Sequence, residues 1–344
     1  MTFRRIPLLG AGLFLLFALA RPSAAEDVFL VASYHETDPC GQPQYLAAID
    51  ALRQGGFEDL SFKGFFLDTR VLPKDEVAVR ASQIVDAIRA AKPKFVFTID
   101  DPAFALLYEE VLRHPEINLV FTGINRSLDS YNSKAPFLDG ISPSANITGV
   151  FEYLFMREQF STLEAILRRP LAKVAILHST DPVGVILKDQ ILDELAGTEY
   201  ADRLVVFPAE NVPAMLDAAR AIDADPLFDA YVPVTMSILD PADGKRKTMP
   251  DLAPILTRSI RKIDLSLNSS FTRFGFFGGD SVDFYQMGFQ AGFMATKLLK
   301  GIPVSQIPVE NARRSVVAVN RARMRDLGIR LDASAQAIVD EWIE

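Results

Sequence analysis

The sequence predicts an α/β protein built from two similar lobes, each a parallel sheet with helices on both faces. Three observations predict it. Short β-rich runs alternate with helix-period segments through most of the chain, which is the pattern of βαβ units. The β-rich runs are almost continuously apolar, as strands are when both faces of their sheet are covered. The alternation starts afresh after residue 150, and 344 residues are enough for two cores.

In the first half, strands are read at 27–34 (DVFLVASY), 60–68 (LSFKGFFLD), 94–100 (KFVFTID) and 118–124 (NLVFTGI). Helices fall between them near 43–54, 75–91 and 102–113. After NITGV (146–150) comes a helix near 156–168, then strands at 172–179, 203–209 and 228–235, with weaker strand signals in LSLNS (265–269) and FTRFGFF (271–277). The polar stretch 239–251 reads as an exposed loop. SVDFYQMGFQAGFMATKLLKG (281–301) reads as one long helix, capped by Asp280 or Ser281 and closed by Gly301 and Pro303. Its small residues Gly288, Ala291, Gly292 and Ala295 form a stripe expected to pack closely on a sheet. A strand at 314–320 and a terminal helix complete the chain.

The N-terminus carries Arg4 and Arg5, an apolar run from Ile6 to Ala20, and small residues Ser23 and Ala25 before Glu26 and Asp27. This is the pattern of a cleaved export signal over residues 1–25. The apolar run is shorter than the roughly 20 residues a membrane-spanning helix needs. The formal net charge is −8, and the signal holds three arginines and no acid, so the processed chain carries −11. Such a balance opposes nucleic acid and anionic lipid as partners. Cys40 is the single cysteine, so no internal disulfide forms, and a buried or half-buried thiol is expected there.

In open parallel sheets, ligands sit beyond the carboxyl ends of the strands, facing the N-termini of the next helices. The strand ends here supply Ser33, Tyr34 and His35; Asp100 and Asp101; Thr122 and Asn125; His178, Ser179 and Thr180; Thr235; and Asp280 after Gly278-Gly279. Hydroxyls and helix N-termini can take a ligand carboxylate, Asp100 or Asp280 its amine, and Tyr34 its apolar part. The same residue types are also the preferred helix caps, so each position has a structural reading beside the functional one. Enzyme signatures are absent: there is no G-x-G-x-x-G after the first strand, no phosphate-binding G-x-x-x-x-G-K-[ST], no G-x-S-x-G and no H-E-x-x-H. Nothing points to a cofactor or a metal. The remaining catalytic alternative is an exported α/β enzyme using His35 and His178.

Several stretches together resemble the ABC-transporter substrate-binding proteins of the tryptophan/tyrosine-binding type. They are the first strand ending SYH, VFTGIN, NITGVFE, KVAILHSTDPVG and, most specifically, GDSVDFYQMGFQAGFMATKLLKGIPVSQIPVE. The resemblance implies a type I periplasmic-binding-protein-like fold, with two Rossmann-like lobes joined by three hinge crossings and a small molecule closed between them. Lobe I would hold 26–148 plus about 280–302, and lobe II 149–279 plus about 303–344. Ligand-binding positions would be Ser33, Tyr34, Asp100, Thr122, Asn125, Ser179, Thr180, Thr235 and Asp280. The hinge would lie at Thr148, Gly149, Gly278 and Gly279, with a further crossing near Gly301 to Ile307.

The implied function is an exported, monomeric, non-enzymatic protein that captures an amino acid or related polar metabolite and delivers it to an ABC permease. A sensor kinase or chemoreceptor is the alternative listener. In aromatic amino acid binders the loop at the end of the third strand reads T-P-A-A. Here it is IDDPAFA, and its second carboxylate suits a more cationic or polyhydroxylated ligand.

Overall fold

The computed structural model describes residues 27–344. The expected export signal lies outside the described residues. The first lobe runs through β1 (Val28–Ala32), α1 (Gly41–Gln54), β2 (Phe62–Phe66), α2 (Lys74–Ala91), β3 (Phe95–Ile99), α3 (Asp101–Leu112), β4 (Asn118–Ile124), α4 (Leu128–Asn132), the short hairpin β5 (Leu138–Asp139) and β6 (Ser142–Pro143), and β7 (Ile147–Phe151). The second lobe continues with α5 (Met156–Leu167), β8 (Lys173–Ser179), α6 (Pro182–Leu195), β9 (Leu204–Ala209), α7 (Val212–Ala224), β10 (Phe228–Pro233), the hairpin β11 (Ser237–Asp240) and β12 (Lys245–Thr248), α8 (Met249–Ser259), β13 (Ile263–Asp264), α9 (Ser269–Arg273) and β14 (Gly278–Val282). The return segment holds α10 (Phe284–Leu299), β15 (Glu310–Asn311), β16 (Ser315–Asn320), α11 (Arg321–Asp326), α12 (Ala333–Ala337) and β17 (Glu341–Ile343).

The first sheet is parallel throughout, in the order β15-β7-β4-β3-β1-β2. The second is parallel in the order β13-β10-β8-β9. Bridges from Leu265 to Gly278 and from Asn268 to Val282 extend it to the mixed sheet β14-β16-β17. The continuous apolar runs are explained by layering. Val28 and Leu30 of β1 point into the core shared with α1, α10 and the second lobe, while Phe29 and Val31 point into the layer covered by α2 and α3. Likewise Val174 and Ile176 of β8 face one layer, and Ala175 and Leu177 face α7 and α8.

Local chemistry fixes the helix starts. Asp181 caps α6, accepting from the backbone N–H groups of Val183 and Gly184, with Pro182 in the first turn. Asn211 caps α7, and Thr248 and Asp251 form a capping box on α8. The cap of α10 is Asp283, accepting from the Gln286 N–H, and not Asp280 or Ser281. Those two residues belong to β14, opposite Val317 and Val316 of β16, and the helix therefore starts later than expected.

Other expectations are corrected similarly. Residues 271–277 are not a strand, because the Asn268 side chain caps α9 there and Phe271, Phe274 and Phe276 form an aromatic cluster. The stretch 239–251 is a β-hairpin leading into α8. The terminal helix is two short helices and β17. The small-residue stripe of α10 packs on a helix as well as on the sheet: a Cβ on Gly288 would fall 2.4 Å from the Gln44 carbonyl oxygen of α1, and one on Gly292 would fall 2.6 Å from that of Ala48, while Ala291 and Ala295 share a core with Val120 and Val150.

The chain passes between the two sheets three times, over residues 152–155, at Asp283 and over residues 312–314. Each passage falls a few residues later than the sequence indicated. Thr148 and Gly149 lie inside β7, paired with β4, and Thr148 Oγ1 donates to the Ile307 carbonyl at 2.7 Å. Gly278 and Gly279 lie inside β14, where a Cβ on Gly278 would overlap the Ala318 oxygen. None of the four sits in a passage. β7, α10 and β15 thus belong with the first sheet, and residues 278–282 with the second.

Candidate functional site

A small cavity of about 40 Å³ lies between the lobes. From the first lobe it is lined by Tyr34, Cys40, Arg70, Asp100 and Asn125, and from the first passage by Glu152 and Leu154. The second lobe contributes Val183 and Leu187 of α6, Thr235, Leu267 and Asn268, and α10 contributes Phe284. The lobes touch directly around it. Asn125 Nδ2 donates to Gln190 Oε1 at 3.3 Å, and Ser270 Oγ donates to the Pro39 carbonyl at 3.3 Å. The cavity has room for only a few waters, so the lobes must part to admit a solute.

Asp100 lies at the carboxyl end of β3, immediately before α3, with φ at +65°, in the region L-residues seldom occupy. Its Oδ1 accepts from Gln44 Nε2 at 3.2 Å, and Thr122 Oγ1 fixes that amide by donating to Gln44 Oε1 at 2.8 Å. Gly123, itself at φ +76°, makes room: a Cβ there would sit 2.6 Å from Asp100 Oδ1. Asp100 Oδ2 is buried and has no hydrogen-bond partner. Burial, opposed in part by Arg70, lifts the Asp100 carboxyl to about 7.

Glu152 is buried beside it, and desolvation together with the Asp100 charge raises its carboxyl well above the usual range. The Arg70 guanidinium lies 3.6 Å from the centroid of the Tyr34 ring and pairs with the buried Asp38. Asp38 Oδ1 in turn accepts from the N–H groups of Cys40 and Gly41 at the start of α1. The Cys40 thiol is half-buried at the cavity and pushed up by desolvation, so it resists becoming a thiolate.

Of the nine positions expected to bind ligand, the structure brings Tyr34, Asp100, Asn125 and Thr235 together at this cavity. Tyr34 presents one face to Arg70, which takes the stacking role foreseen for a ligand. The others do not line the cavity. Ser33 Oγ donates to the Ile99 carbonyl at 2.7 Å and accepts from Ala103 N at 2.9 Å, tying β1 to α3. Thr122 holds Gln44. Ser179 donates to Asp181, the α6 cap, and Thr180 is exposed.

Asp280 is buried in β14, with Oδ1 unpartnered and the carboxyl raised by desolvation, but it does not line the cavity. Its carbonyl instead accepts from Gln159 Nε2 of α5 at 2.7 Å. Neither histidine of the catalytic alternative lines the cavity. His35 is exposed and lies 3.9 Å from Asp38; His178 is buried, with Nδ1 2.8 Å from its neighbour's carbonyl. Among the described residues, no cluster of His, Cys, Asp and Glu is arranged to hold a metal ion.

Arg70, Glu152, Cys40, Asn268 and Phe284 were not anticipated as lining residues. Arg70 lies just past the second strand end and was open to the same strand-end rule. Glu152 follows β7, which the sequence reading placed at a crossing. A wider groove of about 640 Å³ is walled by Arg321, Met324, Arg325, Arg330 and Trp342. All of its wall comes from residues 321–342 of one lobe, so lobe movement cannot enclose a solute there.

Residues 269–341 match the family model described as ABC transporter substrate binding protein. This bears out the resemblance read from the sequence, in the segment that carried it most specifically. Comparison with curated protein sequences gives no match. Among solved structures, the chain is similar to an ABC domain in complex with L-Trp from Streptococcus pneumonia, at 16% identity and TM-score 0.65, covering 92% of this chain and 100% of the other. It is similar to the ligand-free, open form of a substrate-binding protein with adhesive properties from Clostridium difficile, at 15% identity and TM-score 0.68, covering 92% and 98%. It is also similar to an arabinose-binding protein from Geobacillus stearothermophilus, at 11% identity and TM-score 0.53, covering 89% and 99%. The fold is the two-lobed type I periplasmic-binding-protein fold.

Proposed function

We propose that this protein is an extracytoplasmic solute-binding protein that takes a small polar molecule into the cleft between its lobes and hands it to an ABC permease. One observation carries the reading: polar and charged groups from both lobes converge on one small cavity between them, at the carboxyl ends of the strands, with Asp100 Oδ2 buried and unsatisfied. A buried carboxylate oxygen without a partner is costly, and a ligand donor that supplies the missing bond recovers that cost only when the cleft is closed. Closure then follows from a ligand that touches both lobes, because only the closed form makes both sets of contacts. The three chain passages are the places where the backbone can turn.

Export is consistent with the N-terminal pattern, and no helix among the described residues is long and apolar enough to cross a membrane. A permease as listener is the family's usual arrangement, and a sensor kinase would use the same closure signal. The reading is tested by a thermal-shift screen of amino acids (L-tryptophan included), amines, sugars, nucleosides and small carboxylates. A solute at 100 times its Kd stabilises the folded state by about 2.7 kcal/mol, a shift that is easily measured. Turnover of a model substrate with no solute shifting the melt would replace the reading with an enzymatic one.

A further inference from the structure

The cleft's charge balance narrows the solute. Among the residues lining the cavity, Arg70 is the one cation, and it is already engaged by Asp38 and by the Tyr34 ring. Asp100 and Glu152 face the same space, and neither has a cationic partner of its own. Asp100 is met by the Gln44 amide, and Glu152 by the amide of Asn125.

Of the groups that act on this pair, Arg70 is the one cation, and the exposed Arg126 acts on the neighbouring Asp101. Tyr34, Cys40 and Asp38 approach Asp100 from the β1–α1 side, Arg70 from the segment after β2, and Asp101 from α3. Glu152 faces Asp101 and, from α6, Glu194. Glu194 is itself spent on the backbone N–H groups of Leu154 and Met156. The second lobe offers the neutral Thr235 and Asn268. Two buried carboxyls that share the field of one arginine already paired with Asp38, in a cavity that closes on a ligand, call for positive charge from that ligand.

We propose that the solute carries a cationic nitrogen, a small ammonium or guanidinium compound, whose N–H groups bond Asp100 Oδ2 and the Glu152 carboxyl as those groups release their protons to solvent. This rests on the solute-binding reading and specifies its ligand class. The uncharged acids favour the empty cleft, and the charged pair favours the occupied one, so binding and proton release are linked. Asp100, near 7, is mostly neutral at pH 5.5 and mostly ionised at pH 8. The affinity for a cation therefore rises by about thirtyfold over that interval for this single group.

The test uses the full chain and four cationic probes: 1,4-diaminobutane, agmatine, lysine and arginine. Matched neutral and anionic probes are 1,4-butanediol, L-arabinose and glutarate. Binding is measured by calorimetry at pH 5.5 and 8 in buffers of differing ionisation heat. The expected result is binding by a cationic probe only, at least tenfold tighter at pH 8, with a heat that depends on the buffer because protons are released. Asp100→Asn and Glu152→Gln, which keep shape and remove charge, each weaken that binding by at least tenfold.

Binding by a neutral or anionic probe while the cations stay inert overturns the ligand class and leaves the solute-binding reading standing. A cation affinity that is flat or falls with pH overturns the proton linkage. If folded protein binds no probe of any class, the solute-binding reading falls and this inference with it. A check without ligand accompanies these. The wild-type melting temperature is expected to decline from pH 5 to pH 8 more steeply than that of the Asp100→Asn, Glu152→Gln double variant, and parallel profiles would contradict the burial of an unpaired acid couple.

Discussion

Asp100 is held at φ +65° by its neighbours: Gln44 grips one oxygen, Thr122 grips Gln44, and Gly123 leaves the space. Gly123→Ala puts a Cβ into the Asp100 carboxylate at a backbone angle that disfavours alanine. It is expected to destabilise the fold by about 1–3 kcal/mol and to weaken solute binding, seen by denaturant titration and calorimetry. A control lies away from the cleft, where Arg323 bonds the buried Asp264 and the Thr257 and Ile260 carbonyls. Arg323→Ala strands a buried carboxylate and is expected to cost about 3–5 kcal/mol while leaving the affinity of the remaining folded molecules unchanged.

Sequence reasoning reached Asp100 because strand ends are where open sheets bind ligands. The same rule overreached at Ser33, Thr122 and Ser179, since hydroxyls at those positions are equally good at closing local backbone bonds. It settled on Asp280 because a glycine pair looks like a hinge. In the structure Gly278 lets β14 lie close against Ala318 of β16, and the carboxylate is buried inside the second lobe.

Among the elements, α1 and α10 matter most for the site. Gly288 and Gly292 bring α10 against the α1 backbone at Gln44 and Ala48, and so set the position of the Gln44 amide that holds Asp100. Gly288→Val is expected to force the helices apart, at about 1–3 kcal/mol, and to lower affinity in parallel. Unchanged stability on chemical denaturation would contradict the close packing. Glu194 is a second device of this kind, because its carboxylate accepts from Leu154 in the first passage between the lobes and from Met156 at the start of α5.

Strands β1 to β4 and β8 to β10 were readable because their runs are almost continuously apolar, and the bounds of β4 coincide with the sequence reading; β7, β13 and β15, which are short or carry polar residues, were not read as strands. The region 265–283 was not readable in the same way. There, aromatic residues that favour strands were overridden by the Asn268 cap of α9, and β14 consists of small and polar residues that take their pairing from β16.

For the molecule as a whole, the buried acids set the response to pH. Asp100 and Glu194 are both lifted to about 7 by desolvation, so the native state holds more protons than the unfolded chain between roughly pH 4 and 7. Their contribution is therefore fully present below that window and is lost as pH rises through it. Glu110 acts in the opposite sense. The Arg89 side chain lowers it to about 2, and its contribution disappears as pH falls from the ordinary glutamate range toward that value. A stability profile with its maximum on the acidic side of neutrality is the expected outcome in scanning calorimetry.

The cleft itself joins residue, element and lobe, since solute capture requires Asp100, the α1–α10 contact and the passages between the sheets to act together. The most direct measurement is a calorimetric titration of the wild-type chain and Asp100→Asn, side by side, with the strongest stabiliser found in the solute screen. The predicted result is one solute per wild-type chain and at least tenfold weaker binding to a variant that remains folded. Equal affinity in the two proteins would contradict the assignment of the interlobe cavity as the binding site.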